Sequence, residues 1–66
     1  MAMLKVIEVL AESKNSWEHA AQEAVTVASK TVRGIKSVNV KNLQAVVANG
    51  KITGYRLNAK ISFTLD

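Results

Sequence analysis

The sequence predicts an α+β fold with its elements in the order β-α-β-β, and three observations support this prediction. Asn49-Gly50 is the strongest local signal for a two-residue type I′ turn, because both central residues of that turn take positive φ. Apolar and polar residues then alternate over eleven positions from Tyr55 to Leu65, which is typical of a long strand with one buried face. Between Trp17 and Val32, apolar residues recur at steps of three and four, as on the buried side of a helix.

The first strand is predicted over Met3 to Leu10, where Lys5 and Glu8 are charged and the apolar pattern is carried by Leu4, Val6, Ile7, Val9 and Leu10. The charged side chains are expected to point outward from the sheet. A short polar connection from Ala11 to Asn15 is predicted to follow the strand.

The helix is predicted to begin at Asn15 or Ser16, both good N-cap residues, and Glu18 stands three positions after Asn15, the spacing of a capping box. It is predicted to run to about Val32 and to be ended by Gly34. The predicted buried stripe consists of Trp17, Ala20, Ala21, Ala24, Val25, Ala28 and Val32. Two basic residues are expected to complement the negative end of the helix: Lys30 and Arg33. The many alanines predict that the helix lies close to a sheet.

The second strand changes its apolar phase around Lys41-Asn42, which predicts a bulge that restores the buried face. The two phases are carried by Val38 and Val40 and by Leu43, Ala45 and Val47. Strands of about thirteen residues extend about 40 Å, whereas a helix of about sixteen residues spans roughly 24 Å. Apolar surface should therefore extend beyond the helix, and such surface usually marks a subunit interface.

The chain is predicted to form a single domain over residues 1–66, a size that is marginally stable without additional support. It contains no cysteine and one histidine, so disulfides are excluded and a structural metal site is not expected. Self-association remains as the source of stability, and a homo-oligomer is therefore predicted. The sequence has neither a run of eighteen apolar residues nor a signal-peptide pattern, which predicts a cytoplasmic protein without membrane contact.

The net charge of +4 does not predict nucleic-acid binding. The nine basic residues are spread along the chain, and only one Trp, one Tyr and one Phe occur. Recognition of single strands requires aromatic residues among basic ones, and recognition of duplexes requires a basic stripe. Weak attraction of small anions such as phosphate is all that follows from the charge.

No group of residues indicates catalysis, and the chain is predicted not to be an enzyme. His19 lies in the first helical turn with no serine at a useful spacing, so it is expected to face solvent. Trp17 is expected to anchor the core or an interface. Arg56, on the polar face of the last strand, could donate two hydrogen bonds to a ligand or to a neighbouring subunit's carboxylate. Glu8 and Glu12 could meet in an oligomer and bind a hard cation such as calcium.

Several segments taken together carry a family resemblance. They are Leu4-Lys5-Val6-Ile7-Glu8-Val9, Ser16-Trp17-Glu18 with its alanine-rich continuation, Gly34-Ile35, and the strand from Tyr55 to Phe63. In order, length and spacing they resemble dodecins. The resemblance implies a three-stranded antiparallel sheet wrapped around one helix, in a subunit of a hollow sphere of twelve copies. It also implies a non-enzymatic role, the storage or sequestration of riboflavin-type ligands held in pairs near two-fold axes.

This sequence departs from flavin-binding dodecins at the positions that the resemblance assigns to the ligand. The tryptophan that stacks on the flavin ring corresponds to Ser37, the glutamine of the last strand to Arg56, and a polar position nearer the turn to Val46. Without the tryptophan, stacking worth about 0.5–1.5 kcal/mol is lost together with buried apolar area. Flavin affinity is therefore expected to be lower by roughly tens- to hundreds-fold.

Two functions remain as alternatives. The first is a homododecamer that binds and stores or sequesters FMN or riboflavin, at a cofactor site lined by Ser37, Arg56 and Val46, with binding weakened by Ser37. The second is a flavin-free structural or stress-associated assembly of the same kind, which binds cations such as calcium through Glu8 or Glu12. In both, other copies of the same chain are the expected partners.

Overall fold

The structure, a computed structural model, describes residues 3–65 of the chain. Its elements are β1 (Met3–Ser13), α1 (Trp17–Ala28), β2 (Ile35–Ala48) and β3 (Lys51–Leu65). β3 is the central strand of the sheet, antiparallel to β1 on one side and to β2 on the other. The helix packs on one face of the sheet and contacts all three strands. The predicted α+β fold and its β-α-β-β order are confirmed.

β1 is three residues longer than predicted. It pairs with β3 without a break, from Met3 opposite Leu65 to Ser13 opposite Tyr55. The polar connection predicted from Ala11 onward therefore begins only after Ser13, because pairing with β3 keeps these residues extended although their sequence is a weak strand signal. Among residues 3–65, Ser13 is the one buried polar residue, with 6% of its surface exposed.

Ser16 is the N-cap of α1, and its hydroxyl accepts a hydrogen bond from the backbone N–H of His19 at 3.0 Å. The capping box predicted between Asn15 and Glu18 is wrong. The backbone N–H of Asn15 instead donates to the hydroxyl of Ser13 at 2.9 Å. Asn15 therefore belongs to the corner between β1 and α1, and the helix begins one residue after its serine cap.

The helix ends at Ala28, four residues before the predicted end. The carbonyl of Val25 accepts both the backbone N–H of Ser29 at 2.8 Å and its hydroxyl at 2.7 Å, and these bonds close the last turn of the helix. Lys30 and Arg33 lie beyond that turn, which contains no basic residue, so the predicted complement to the helix dipole is also wrong.

Gly34 does not end the helix but forms the turn into β2. Its φ is 74°, in the left-handed region that glycine adopts at low cost. Its carbonyl accepts a hydrogen bond from the backbone N–H of Thr64 at 3.1 Å, and a Cβ at this position would collide with the hydroxyl of Thr64. Both the dihedral angle and the close approach of β3 therefore require glycine here.

The core lies between α1 and the central strand. Its buried apolar residues are Ala20, Ala24, Ala28, Leu57, Ala59, Ile61 and Phe63. The three alanines face large residues of β3, so the helix lies close to the sheet, as predicted. Complete burial of Leu57 or Ile61 contributes about 1.5–3 kcal/mol for each side chain. The other members of the predicted stripe are partly buried.

The predicted phase slip in β2 is confirmed by a register shift between Val40 and Asn42. Two further shifts occur at the two ends of the strand. The shift between Ile35 and Ser37 was not predicted, whereas the shift at Val46 lies opposite Gly54, an isolated glycine that predicts a strand irregularity. Each shift inserts an extra residue on one strand and changes which side chains share a face. Three irregularities, and not one, therefore determine which residue of β2 lies opposite each residue of β3.

The hairpin continues past the helix, and the molecule is 51 Å long but only 20 Å wide. Two large apolar side chains near the turn, Val47 and Ile52, are 61% and 58% exposed. The helix, with twelve residues, is too short to reach them. The uncovered apolar surface predicted from the strand lengths is therefore present.

The turn between β2 and β3 is formed by Asn49, with a φ of 53°, and Gly50, with a φ of 75°. Both angles lie in the left-handed region that the predicted type I′ turn requires. The turn closes a ladder that begins with Ala48 opposite Lys51. The local chemistry of two residues thus determines where the long hairpin folds back.

Replacement of Gly50 with valine is expected to lower the free energy of unfolding by about 1–2 kcal/mol and to reduce assembly, because a β-branched residue tolerates positive φ poorly. No atom lies within 4 Å of the position that a Cβ would take, so the loss reports backbone strain and not a collision. Chemical denaturation measures it. Gly50→Asn is the control, since asparagine adopts this conformation at low cost, and equal losses in both variants would contradict the interpretation.

Candidate functional site

The candidate site lies on the face of the sheet opposite the helix, called the outer face below. Side chains that are opposite each other on paired strands point to the same face. β3 contributes Arg56, Asn58, Lys60, Ser62 and Thr64 to this face. Opposite them lie Glu12, Leu10, Glu8, Val6 and Leu4 of β1 and Gln44, Asn42, Asn39 and Ser37 of β2. The middle of the outer face is therefore polar, and its β1 edge alternates apolar and acidic residues.

Arg56 is held by a carboxylate of its own chain. It lies directly opposite Glu12, and its Nε and Nη2 atoms donate to the same carboxylate oxygen, Oε1, at 3.0 and 2.9 Å. Both side chains remain well exposed, so the pair contributes about 0.2–1 kcal/mol to stability, and its main effect is to orient the guanidinium. Glu12 was not predicted from the sequence as the partner of Arg56. The sequence did carry a signal for this ion pair, because Glu12 and Arg56 have opposite charges and lie near the ends of two strands that could pair.

Gln44 lies opposite Arg56 on the other neighbouring strand, and the start of the helix fixes this part of β2. The indole Nε1 of Trp17 donates to the backbone carbonyl of Gln44 at 3.0 Å. Trp17 also packs edge to face with Tyr55, with ring centroids 4.8 Å apart at an interplanar angle of 71°. Trp17 is therefore a core anchor, as predicted, and it positions the strand segment beside Arg56.

Two of the three residues predicted to line a flavin site lie close together, and the third does not. Val46 is opposite Gly54, two residues along β3 from Arg56. Ser37 is opposite Ser62, and the two hydroxyls are hydrogen-bonded. Ser62 is six positions along β3 from Arg56, a distance of roughly 20 Å. One chain cannot place Ser37 and Arg56 on the same planar ligand, so a site with both needs two chains.

The candidate cation ligands are also separated within one chain. Glu8 lies opposite Lys60, and Glu12 is bonded to Arg56. The two carboxylates are four residues apart on one strand, roughly 13 Å. Across residues 3–65, no three His, Cys, Asp or Glu side chains come together as a metal site. A calcium ion, which takes six to eight oxygen ligands, would therefore need carboxylates from several copies.

His19 does have a serine neighbour, contrary to the expectation from its sequence position. Its Nδ1 atom lies 2.7 Å from the hydroxyl of Ser13, and its Nε2 atom lies 3.7 Å from the carboxylate of Glu23. The Ser13 oxygen also accepts the N–H of Asn15 and is buried under the corner between β1 and α1. This arrangement fixes the corner. It leaves the serine without the exposure that a nucleophile requires.

Comparison with known proteins identifies one family. The sequence model of the family described as Dodecin matches residues 3–66. The chain is also 41% identical over 66 residues to the protein named calcium dodecin from Mycobacterium tuberculosis, an alignment that covers 98% of this chain and 92% of that protein.

Three solved structures superimpose on the chain over nearly its whole length. The crystal structure of the tt0972 protein from Thermus thermophilus superimposes with a TM-score of 0.93 at 24% identity, over 100% of this chain and 97% of that one. The dodecin from Streptomyces coelicolor gives 0.93 at 26% identity, over 98% and 93%. The calcium chelating antigen calcium dodecin from Mycobacterium tuberculosis, described with a novel calcium-binding site, gives 0.83 at 37% identity, over 97% and 91%.

Proposed function

The chain belongs to the dodecin family, and on this basis we propose that it is a non-enzymatic homododecamer that binds and stores or sequesters a small molecule of flavin type, riboflavin or FMN. The observation that carries the proposal is the family match, which extends from residue 3 to residue 66 and includes every element of the fold. The twelve-fold stoichiometry and the ligand class are taken from the family resemblance.

The surface of the single chain supports self-association. Large apolar residues are exposed along the outer edge of β1: Leu4, Val6 and Leu10. A groove of about 510 Å³ between β1 and α1 is lined mainly by apolar side chains, among them Ile7, Val9 and Val27. Together with the apolar residues exposed near the hairpin turn, these surfaces are of the kind that usually marks a protein–protein interface. Their burial between copies would supply the stability that a domain of this size lacks.

The site proposed for the ligand is assembled from two chains on the outer face. Arg56 and Val46 of one chain would lie near Ser37 of another, because a single chain holds them roughly 20 Å apart. Ser37 offers no ring to stack on, so the ligand loses about 0.5–1.5 kcal/mol of aromatic interaction and the buried area of an indole. Flavin binding is therefore proposed to be weak relative to dodecins that keep the tryptophan.

A second candidate function is a flavin-free assembly that binds calcium. It is favoured by the 41% identity with the relative named calcium dodecin. Each chain would contribute one carboxylate, from Glu8 or Glu12, to an ion on a symmetry axis, where copies together supply the oxygen ligands that calcium requires. The opposing cations, Lys60 and Arg56, weaken this candidate, because each lies opposite one of the two carboxylates.

The cytoplasmic location stays a prediction. In the part of the chain that the structure describes, residues 3–65, no helix has the length and apolar character needed to cross a membrane.

Native mass spectrometry of the purified protein, with and without added FMN, tests the proposal because one spectrum reports copy number and bound mass. We expect twelve copies and a mass increase with FMN at micromolar to millimolar ligand. Twelve copies without bound FMN, but with calcium retained, would replace the first function by the second. A smaller assembly would contradict both, since each is proposed for an assembly of twelve copies.

A further inference from the structure

His19 and Glu23 form an exposed pair on the helix, away from the outer face. They are four positions apart in α1 and therefore lie on the same side of the helix, one turn apart. The imidazole Nε2 atom of His19 lies 3.7 Å from the carboxylate oxygen Oε1 of Glu23, and the two side chains are 46% and 51% exposed. An imidazole nitrogen and a carboxylate oxygen thus face each other where solvent reaches both.

Ser13 can stabilise the tautomer of His19 in which Nε2 is free to bind a metal. Nδ1 lies 2.7 Å from the hydroxyl oxygen of Ser13, which also accepts the backbone N–H of Asn15 at 2.9 Å. A hydroxyl oxygen has two lone pairs, so it can accept the N–H of Nδ1 as well. Nε2 then carries no proton, and its lone pair stands next to a negative carboxylate. These two groups repel each other unless a cation lies between them.

The distance between the two atoms suits a divalent metal ion of the first transition row. Zinc binds histidine nitrogen at about 2.0–2.1 Å and carboxylate oxygen at about 2.0–2.2 Å, so a tetrahedral ion holds the two atoms roughly 3.4 Å apart. Nε2 and Oε1, at 3.7 Å, need only a small movement of the half-exposed Glu23 side chain to reach that separation. Imidazole suits zinc, nickel and copper, whereas calcium takes oxygen ligands.

The charges at this part of the helix favour a cation. The pair lies in the first half of α1, whose N-terminal end carries the equivalent of about half a positive charge. Glu23 carries a full negative charge in direct contact with the proposed ion, and Glu18 in the first turn adds a second one nearby. Because the attraction falls with distance, the contact with Glu23 outweighs the opposing helix end.

We infer that His19 and Glu23 bind a divalent metal ion of the zinc, nickel and copper class, with Nε2 and one carboxylate oxygen as ligands and water in the remaining positions. Ser13 is a positioning residue, because its buried hydroxyl fixes the tautomer and the orientation of the ring. Glu23 also lines the groove between β1 and α1, so the ion would lie beside a surface that we propose is buried between copies. This metal site does not depend on a ligand on the outer face.

The test is isothermal titration calorimetry of the intact assembly with zinc chloride. The variants are His19→Gln, Glu23→Gln and, as a matched control, Glu18→Gln, which removes the same charge from the same helix. Native mass spectrometry first verifies that the variants assemble like the unmodified protein. We expect one zinc ion per chain, no binding in His19→Gln and about tenfold weaker binding in Glu23→Gln, against less than about twofold in Glu18→Gln. Excess calcium should leave zinc binding unchanged.

Ser13 is tested through the metal that it does not touch. Ser13→Ala should weaken zinc binding by about tenfold, because the ring loses the acceptor that fixes its tautomer. Ser13→Thr keeps the hydroxyl and should retain most of the affinity. Equal losses in the two variants would mean that the corner between β1 and α1, and not the hydroxyl, is responsible.

Three results would overturn the metal site. If the unmodified protein binds no zinc at millimolar concentration, the pair is not a site. If Glu23→Gln loses no more affinity than Glu18→Gln, His19 binds zinc alone and Glu23 is not a ligand. If His19→Gln retains the binding, the ion lies elsewhere in the chain. The proposed function stands in each case, because binding of FMN is measured separately.

Discussion

Replacing Ser37 with tryptophan is expected to tighten riboflavin binding by about ten- to a hundredfold. Ser37 is exposed on the outer face, where its hydroxyl bonds only to the hydroxyl of Ser62. An indole at this position restores stacking worth about 0.5–1.5 kcal/mol and covers apolar area of the ring at about 25 cal/mol for each Å². The lost hydroxyl contact is exposed, and tryptophan suits a strand, so the fold should tolerate the change. Quenching of riboflavin fluorescence measures the affinity.

Ser37→Leu is the matched control for this prediction. Leucine adds apolar area at the same position but no aromatic ring, so it should give only part of the gain in binding free energy. Unchanged affinity in Ser37→Trp would mean that position 37 does not face the ligand. Equal gains in the two variants would mean that burial and not stacking is responsible.

The fold was largely predictable because its strongest signals are local. The type I′ turn depends on Asn49 and Gly50 alone, and both adopt the positive φ that their residue types favour. The alternation in β3 needed no knowledge of partners, since this strand is central and its apolar side chains are buried under the helix. The phase slip near Asn42 was visible in the apolar pattern of β2 itself.

The ends of elements were predicted poorly because tertiary contacts set them. β1 extends to Ser13 through pairing with β3, although its last residues carry little strand signal. The helix stops at Ala28, where Ser29 bonds back to Val25, while the apolar step to Val32 suggested another turn. Val32 is partly buried and packs against the core, but it lies in the connection between α1 and β2 and not in the helix.

The site was predictable only as a set of residues on one face, because their neighbours depend on register. An unbroken hairpin counted from Asn49-Gly50 would place Tyr55 opposite Gln44. The shift at Val46 places Arg56 there instead, and its sequence signal was Gly54, an isolated glycine that predicts an irregularity in the strand. The same count already places Ser37 opposite Ser62, six positions along β3 from Arg56, so their separation in one chain could be predicted from the sequence. The ligand site is therefore a property of the assembly, while the Glu12–Arg56 pair is a property of the chain.

Replacing Arg56 with glutamine is expected to strengthen calcium binding by about tenfold. The guanidinium Nη2 atom lies 2.9 Å from Oε1 of Glu12, where it occupies the carboxylate and repels a divalent ion. At this exposed position, removal of one cation next to the ion should gain about 1–2 kcal/mol, even with the screening of water. Isothermal titration calorimetry with calcium measures the change. Arg33→Gln, which removes the same charge from the connection before β2, should leave calcium binding unchanged.

Arg56→Gln also separates the two candidate functions, because a glutamine amide still offers a donor and an acceptor to a ring. Riboflavin affinity should therefore stay within a few-fold of its original value while calcium affinity rises. Glu12→Ala should instead weaken calcium binding, since it removes a cation ligand. If Arg56→Gln leaves calcium binding as it was, Glu12 is not a cation ligand, and a calcium function would have to rest on Glu8, which lies opposite Lys60.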